Sequence, residues 1–178
     1  LGVKWQVDVK YIPTECKASI LPHDKKFFQY TAIDEASRER FLFYYDEKTA
    51  YNSVDFIKRA IKYFKHQPEI IQTDNGNEFT YIMKTNKVHP VDQLCNSLGI
   101  RHQLIRPRTP RHNGKVERSH RNDNERFYRY LKFYSLDDLR YQGKLYLKRA
   151  NNTAMTTLGY LTPIEVRRSL IYALKNNI

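Results

Sequence analysis

Long apolar runs are missing from this chain, whose wholly apolar segments extend over only a few residues. A helix that crosses a membrane needs about 20 consecutive apolar residues, so the sequence predicts no transmembrane segment. The start of the chain also lacks a charged segment followed by an apolar one, the pattern of a secretory signal. We therefore expect neither a membrane protein nor a secreted one.

Cysteine is scarce as well. The two cysteines, Cys16 and Cys95, are 79 positions apart and form no CxxC pair. Two such residues make neither a disulfide framework nor a cysteine-based zinc site. We expect a reduced, cytoplasmic compartment, and a buried, inert thiol at Cys95, which lies in an apolar helical stretch.

The 178 residues are 40% apolar and 13% aromatic, which is typical of one folded domain with a sizeable core. The chain begins on what reads as a strand. We therefore predict a single domain over residues 1–178 that forms part of a longer protein.

Positive charge is abundant and uneven. The formal net charge is +12, and the segment Arg101–Arg149 holds 14 Lys and Arg against 5 Asp and Glu, a net +9. A local field of this size favours a polyanionic partner. Nucleic acid is the first candidate and an anionic membrane surface the second.

Hydrophobic periodicity predicts an α/β domain. Val3–Tyr11 alternates apolar and polar residues with the period of a strand. The remaining patterns predict strands over Phe27–Asp34, Arg40–Tyr45, Glu69–Thr73 and Ile100–Ile105, and helices over Thr49–Lys65, Val91–Leu98, Asn113–Tyr134, Leu136–Ala150 and Pro163–Lys175. The order βββαβαβααα favours a mixed five-stranded sheet flanked by helices. The predicted helix caps are Thr49, Asn52 or Ser53 for the first helix, Ser135 with Asp138 for the fourth, and Thr162 with Glu165 for the last.

Three carboxylates stand at notable positions in this pattern. Asp8 lies mid-strand on the polar face, Asp74 follows a short apolar strand, and Glu117 lies one turn into a basic helix. Each has an ordinary explanation: Asp8 could pair with Lys10, Asp74 could open the Asn-Gly turn, and Glu117 could favour the helix dipole.

Taken together, the three acids indicate a metal site. Asp8 and Asp74 face each other if the first and fourth strands are neighbours, and a helix across that edge brings in Glu117. Carboxylates that converge in a basic protein repel unless a hard cation lies between them. Two divalent ions about 4 Å apart can clamp the attacking and leaving oxygens of a phosphodiester.

The sequence around these acids resembles the integrase core family, which groups bacterial insertion-sequence transposases with retroviral integrases. Asp8 in WQVDVKYI, Asp74 in QTDNGNEF and Glu117 in RPRTPRHNGKVERSHR resemble the family's DDE triad. AIDEASR at 32–38 and LGYLTPIE at 158–165 resemble two further family segments, and the insertion-sequence branch is the more similar one.

The resemblance implies a ribonuclease-H-like fold and a catalytic triad of Asp8, Asp74 and Glu117. It also implies Mg²⁺ or Mn²⁺, two ions with DNA bound, and strand cleavage followed by transfer of a DNA 3′-hydroxyl to target DNA. The expected partners are transposon ends, target DNA and further copies of the chain, without a membrane, in the cytoplasm of a bacterium and associated with its nucleoid.

DNA contacts are expected from the turn after Asp74 and from the basic loop and helix around Glu117. The candidate residues are Asn75, Arg108, Arg111, His112, Asn113, Lys115, Arg118 and Arg121. Phosphate contacts of this kind position a strand without reading its sequence.

Two departures from the family pattern concern segments outside the triad. The 80–90 segment lengthens the spacing between Asp74 and Glu117, and we expect a loop there. Thr153, Ala154 and Met155 stand where the family usually has Arg-Pro-His. Two other functions remain open: a ribonuclease-H-like nuclease without strand transfer, and a non-enzymatic DNA-binding domain derived from a transposase.

Overall fold

The computed structural model describes residues 2–81, 83, 85–105 and 114–176, with the backbone alone for the last three. Its five strands are β1 (Lys4–Tyr11), β2 (Phe28–Asp34), β3 (Arg40–Tyr45), β4 (Ile70–Thr73) and β5 (Arg101–Leu104). Its five helices are α1 (Ala50–Phe64), α2 (Pro90–Ser97), α3 (Gly114–Arg126), α4 (Leu136–Asn151) and α5 (Pro163–Asn176). The predicted element order is confirmed.

The strands form one mixed sheet in the order β3-β2-β1-β4-β5. β1 and β2 are antiparallel, as are β2 and β3, whereas β1 runs parallel to β4 and β4 runs parallel to β5. The first and fourth strands are therefore neighbours, which is the condition for Asp8 and Asp74 to face each other.

One face of the sheet is apolar and is covered by α1 and α2. Trp5 and Val7 of β1, Tyr30 of β2 and Phe56 of α1 belong to a single buried cluster. Helix α1 begins at the predicted cap, because the Thr49 hydroxyl accepts a hydrogen bond from the backbone N–H of Asn52 at 3.2 Å. Burial of its apolar stripe, and not helix propensity alone, fixes this helix on the sheet.

The other face carries α3 and α4, and here one predicted boundary is wrong. The helix expected to run from Asn113 to Tyr134 ends at Arg126 and gives way to a 3-10 turn over Tyr128–Tyr130. Tyr128, Leu131 and Phe133 pack into a second buried cluster beside Cys16. In a continuous helix these three side chains would point in different directions around the helix axis and could not all reach this cluster. Tertiary packing therefore overrides the helical pattern.

The predicted caps of the last two helices are confirmed. The Ser135 hydroxyl accepts a hydrogen bond from the Asp138 N–H at 3.0 Å at the start of α4. At the start of α5, the Thr162 hydroxyl accepts from the Glu165 N–H at 3.2 Å, and a Glu165 carboxylate oxygen accepts from the Thr162 N–H at 2.8 Å. This reciprocal pair is a complete capping box.

The expected loop lies where the sequence places it: described residues between Thr80 and His89 belong to no helix or strand, and α2 begins at Pro90. None of the described helices is both long and apolar enough to cross a membrane.

Candidate active site

Asp8 lies on the face of β1 that α3 covers. Its Oδ1 accepts a hydrogen bond from the Val9 N–H at 2.8 Å, and its Oδ2 lies 3.5 Å from Nδ1 of His120. Its side chain is only 16% exposed. The alternative pairing with Lys10 is not what the structure shows, because the Lys10 ammonium instead donates to the Asn124 side chain at 2.5 Å.

The electrostatic surroundings of Asp8 disfavour its charged form. Burial first, and then the charges of Asp74, Glu117 and Glu78, raise the pKa of Asp8 to about 7, against the opposing hydrogen bond from Val9. Burial also lowers the pKa of His120 to about 4, so the neighbouring ring is neutral near pH 7. The Asp8–His120 contact is therefore not an ion pair that could offset the repulsion.

Asp74 directly follows β4, which lies beside β1 and runs parallel to it. The register pairs Gln6 with Gln72, and its continuation by two residues brings Asp8 to the level of Asp74. Asp74 Oδ1 accepts a hydrogen bond from the Gly76 N–H at 3.0 Å. Asp74 thus opens the turn, as its ordinary explanation requires, and also contributes its charge to the surroundings of Asp8.

Glu117 is exposed in the first turn of α3. Three contacts fix this helix on the sheet. The Val116 N–H donates to the Gln6 side chain at 3.3 Å, His120 Nε2 lies 3.2 Å from the Thr31 hydroxyl, and Lys10 binds Asn124. The side of this helix that holds His120 and Asn124 therefore faces the sheet, where polar partners replace an apolar face.

Asp123, on the same helix as Glu117, belongs to a buried ion pair that the sequence pattern did not indicate. Its fully buried carboxylate forms a 2.8 Å ion pair with Arg40 and accepts hydrogen bonds from Gln29 and Tyr146. Burial alone would raise the pKa of Asp123, but Arg40 and these hydrogen bonds hold it below its usual value. Arg40 lies 83 positions away, which is why no local pattern could have indicated the pair.

Glu78 lies in a turn, and its side chain is buried to 3% exposure. Its Oε1 lies 3.2 Å from the Lys48 ammonium, and among the described residues nothing donates a hydrogen bond to its buried Oε2. A Cβ at residue 76 would collide with this carboxylate, so Gly76 permits the close approach. Only the string TDNGNEF hinted at Glu78.

The predicted metal ligands are brought close enough for Asp8 to be affected by the other two charges. Within the ranges that the structure describes, however, no three Asp, Glu, His or Cys side chains are grouped as one ion would require. The donor chemistry suits Mg²⁺ or Mn²⁺, which prefer carboxylate oxygens. A cation would also relieve the cost of ionising the buried Asp8.

The predicted DNA contacts divide into two groups. Asn75 and Arg121 are exposed, Lys115 is half-buried and bound to Glu35 at 3.2 Å, and Arg118 is exposed on α3. Four further predicted contacts lie outside the described residues: Arg108, Arg111, His112 and Asn113.

Comparison with known sequences gives a consistent family match. The integrase core domain profile matches residues 2–110, and a second integrase core domain profile matches residues 98–163. ORF3 of Spiroplasma virus SpV1-C74, a protein named as an integrase, is 36% identical over 132 residues. This match covers 68% of the chain and 35% of the viral protein, so the chain spans about a third of that relative's length.

Comparison with solved structures gives the fold. The BIV integrase catalytic core domain superposes with a TM-score of 0.71 at 22% identity, covering 98% of this chain and 99% of that one. The HTLV-2 integrase catalytic core domain in complex with magnesium, in its dimeric form, gives 0.69 at 20% identity, with 93% and 96% covered. An integrase chain of the simian T-cell lymphotropic virus intasome with PP2A regulatory subunit B56 gamma gives 0.69 at 18%, with 93% and 54% covered. The expected ribonuclease-H-like fold is confirmed.

Proposed function

The chain belongs to the integrase core domain family of DDE transposases and integrases, and from this premise we propose that residues 1–178 form the catalytic core of a DNA transposase. The proposed reaction cleaves a DNA strand and transfers a DNA 3′-hydroxyl to target DNA, with Mg²⁺ or Mn²⁺. The acids proposed to hold the metal are Asp8, Asp74 and Glu117.

The observation that carries this proposal is the setting of Asp8. A carboxylate with a 16% exposed side chain lies within reach of the charges of Asp74 and Glu117, and its ring neighbour His120 is neutral. A purely structural site would be expected to pair such a buried acid with a cation, as Arg40 does for Asp123. Asp8 lacks an ion pair of that kind with any described Lys or Arg side chain.

Bound divalent ions would supply activation of the attacking oxygen and stabilisation of the leaving oxygen. The protein's own groups fix the ligands: the Gly76 amide orients the Asp74 carboxylate, and the Val9 amide orients that of Asp8. The anchored helix α3 presents Glu117 at the same edge. No protein nucleophile is required, because water or a DNA 3′-hydroxyl attacks the phosphodiester.

DNA is the proposed substrate and partner, and the active form is proposed to be a homo-oligomer. The net +9 between Arg101 and Arg149 supports the first part. The structures of relatives support the second, since one is an intasome and the HTLV-2 core is described in dimeric and trimeric forms. Asn75, Lys115, Arg118 and Arg121 are the proposed strand contacts within the described residues.

A strand-transfer assay tests the proposal. A labelled duplex with a recessed 3′-hydroxyl is incubated with target plasmid, Mg²⁺ and either the wild type or one of Asp8→Asn, Asp74→Asn and Glu117→Gln. Each variant should reduce joining by about a hundredfold or more, because metal-ion stabilisation of the transition state is worth several kcal/mol. Asp137→Asn, at a side chain that is 91% exposed, is the matched control and should join normally.

The same assay separates the alternatives. Metal-dependent cutting without joining would indicate a nuclease. DNA binding by the wild type without either reaction would indicate a binding domain, and full activity in any triad variant would refute the assignment of that residue.

A further inference from the structure

A cavity of about 1270 Å³ lies on the α3 side of the sheet, adjacent to but separate from the three acids. Its walls come from β1, from the turn between β2 and β3, from α3, and from the end of α4 with the segment that follows. Gln6 lies on its floor, two residues before Asp8 on the same face of β1. Two strand residues span about 7 Å, so the cavity begins one short step from the candidate active site.

The lining of this cavity is strongly basic. Among the described residues, seven Lys and Arg side chains line it together with a single carboxylate, that of Glu35. The cations come from separate elements, with Lys4 on β1, Arg38 in the β2–β3 turn, Arg118 on α3 and Arg149 on α4. Their convergence therefore comes from the fold and is not a charge run on one exposed helix.

Most of these cations have no salt-bridge partner within the part of the chain that the structure describes. Lys115 pairs with Glu35 at 3.2 Å, and Arg40 pairs with Asp123 at 2.8 Å. The other five form no salt bridge with any described residue: Lys4, Arg38, Arg118, Arg126 and Arg149. Cations held together in one concave site attract an anion more strongly than scattered surface cations do.

Arg38 is held in the cavity wall by a turn that hydrogen bonds to Asp34 stabilise. Asp34 Oδ1 accepts hydrogen bonds from the Ala36 and Ser37 N–H groups and from the Ser37 hydroxyl, at 2.8 to 3.1 Å. The backbone of Arg38 has φ +63°, a conformation that costs free energy in a non-glycine residue. Among the described residues, nothing accepts a hydrogen bond from the buried Nη1 of Arg38, so a ligand oxygen would compensate this guanidinium.

The floor of the cavity is polar. Gln6, Gln72 and Gln103 follow one another across β1, β4 and β5, because the register pairs the first with the second and the second with the third. Ile33 continues the row on β2. A small-molecule pocket is usually apolar and between about 300 and 1,000 Å³. A larger cavity lined by seven Lys and Arg side chains among its described residues suits a segment of a polymer with repeated phosphates.

We propose that this cavity binds the phosphodiester backbone of a single nucleic-acid strand beside the candidate active site. The inference rests on the proposed function, for which it names the path of the strand: from the edge of Asp8 past Gln6 towards Arg38 and Arg149. The cations neutralise phosphates, and the glutamine row, buried at Gln6 and Gln72, forms the floor beneath them.

The test is strand binding in EDTA, where no metal-dependent step can occur. A fluorescein-labelled single strand of about 12 nucleotides is titrated with the full chain by fluorescence anisotropy over a range of salt concentrations. The cavity variant is Arg38→Gln with Arg149→Gln. The matched control is Lys58→Gln with Lys62→Gln, two exposed cations of α1 on the opposite face of the sheet.

Each phosphate contact on a single strand contributes about 0.7 to the slope of log affinity against log salt. The cavity variant should therefore lower the slope by about 1.4, and the control should leave it unchanged. Arg149→Gln alone, which leaves the Arg38 turn intact, should lower it by about 0.7. Equal slopes for the cavity and control variants, with both folded by thermal melt, would overturn the proposal.

Competition by deoxyadenosine monophosphate and by inorganic pyrophosphate separates a strand from a small phosphate. Displacement of the labelled strand should need far more of either compound than of unlabelled strand. If either competes as well as the strand does, the cavity binds a free phosphate compound and the proposal is overturned. If the wild type binds the strand in the cavity but performs no strand transfer, only the proposed function is refuted.

Discussion

At the scale of single residues, Asp8 is distinctive because two effects disfavour its charged form. Burial raises its pKa more than the charge of any neighbouring acid does. The alternation of β1 predicts which face Asp8 occupies, and the convergence of acids predicts that their charges repel. The sequence could not predict that burial would be the larger cause, because the depth of Asp8 depends on α3, more than 100 residues later. A separation of 83 positions in the sequence likewise hid the Arg40–Asp123 pair.

The raised pKa of Asp8 makes stability depend on pH. The folded state keeps the proton up to about pH 7, whereas the unfolded chain releases it near 3.8. The free energy of unfolding in EDTA should therefore fall as pH rises from about 4 to about 7, by up to about 4 kcal/mol. Asp8→Asn should remove this fall, as measured by urea unfolding at about pH 4 and about pH 8. Asp137→Asn, the exposed control, should retain it, and a variant with the wild-type pH dependence would contradict the assignment.

Removing one partner of the buried Arg40–Asp123 pair should cost far more stability than removing one partner of an exposed pair. Asp123→Asn leaves the buried guanidinium of Arg40 without its counter-charge, and we expect a loss of about 3–5 kcal/mol in the free energy of unfolding. Asp137→Asn removes an exposed partner of Arg140 and should cost less than about 1 kcal/mol. Similar costs for the two variants in urea unfolding would show that the buried network does not stabilise α3 on the sheet.

At the scale of elements, caps were predictable and packing was not. Thr49, Ser135 and Thr162 act at helix starts through local hydrogen bonds, which depend on neighbouring residues in sequence. The end of α3 depends instead on where the aromatic residues after Arg126 find a core, and the predicted end was therefore wrong. Glu78 shows the same limit, since its turn was predictable and its burial was not.

Helix α4 provides a test of packing against propensity. Gly143 faces Tyr44 of β3, and a Cβ at this position would overlap the buried ring. Gly143→Ala should lower the free energy of unfolding by about 1–3 kcal/mol, although alanine is the better helix former. Gly114→Ala, where a Cβ meets no described atom within 4 Å, should be neutral or stabilising by up to about 1 kcal/mol. A stabilising effect at residue 143 would mean that α4 packs less closely than the structure shows.

At the scale of the whole molecule, the sheet separates two environments. The face under α1 and α2 is an apolar core, and the face under α3 and α4 combines buried ion pairs, a row of glutamines and a basic cavity. The sequence predicted the charge excess and a mixed five-stranded sheet, but not the order of its strands. It could not show that Lys4 and Arg38, far from the basic segment, line the same cavity as Arg118 and Arg149.

Metal binding should stabilise the whole domain through the acidic edge. Ten times the dissociation constant of Mg²⁺ would raise the free energy of unfolding by about 1.4 kcal/mol if only the folded state binds. Asp74→Asn should raise the melting temperature in EDTA by removing repulsion, and should lose most of the increase that Mg²⁺ gives the wild type. A lower melting temperature in EDTA with an undiminished gain from Mg²⁺ would make Asp74 a turn residue only.

The most direct measurement of the central claim is anomalous diffraction from crystals of the chain soaked in Mn²⁺. The account predicts one or two Mn²⁺ peaks within coordination distance of carboxylate oxygens of Asp8, Asp74 and Glu117. Ordered carboxylates without a Mn²⁺ peak between them, or a peak held by other residues, would contradict it.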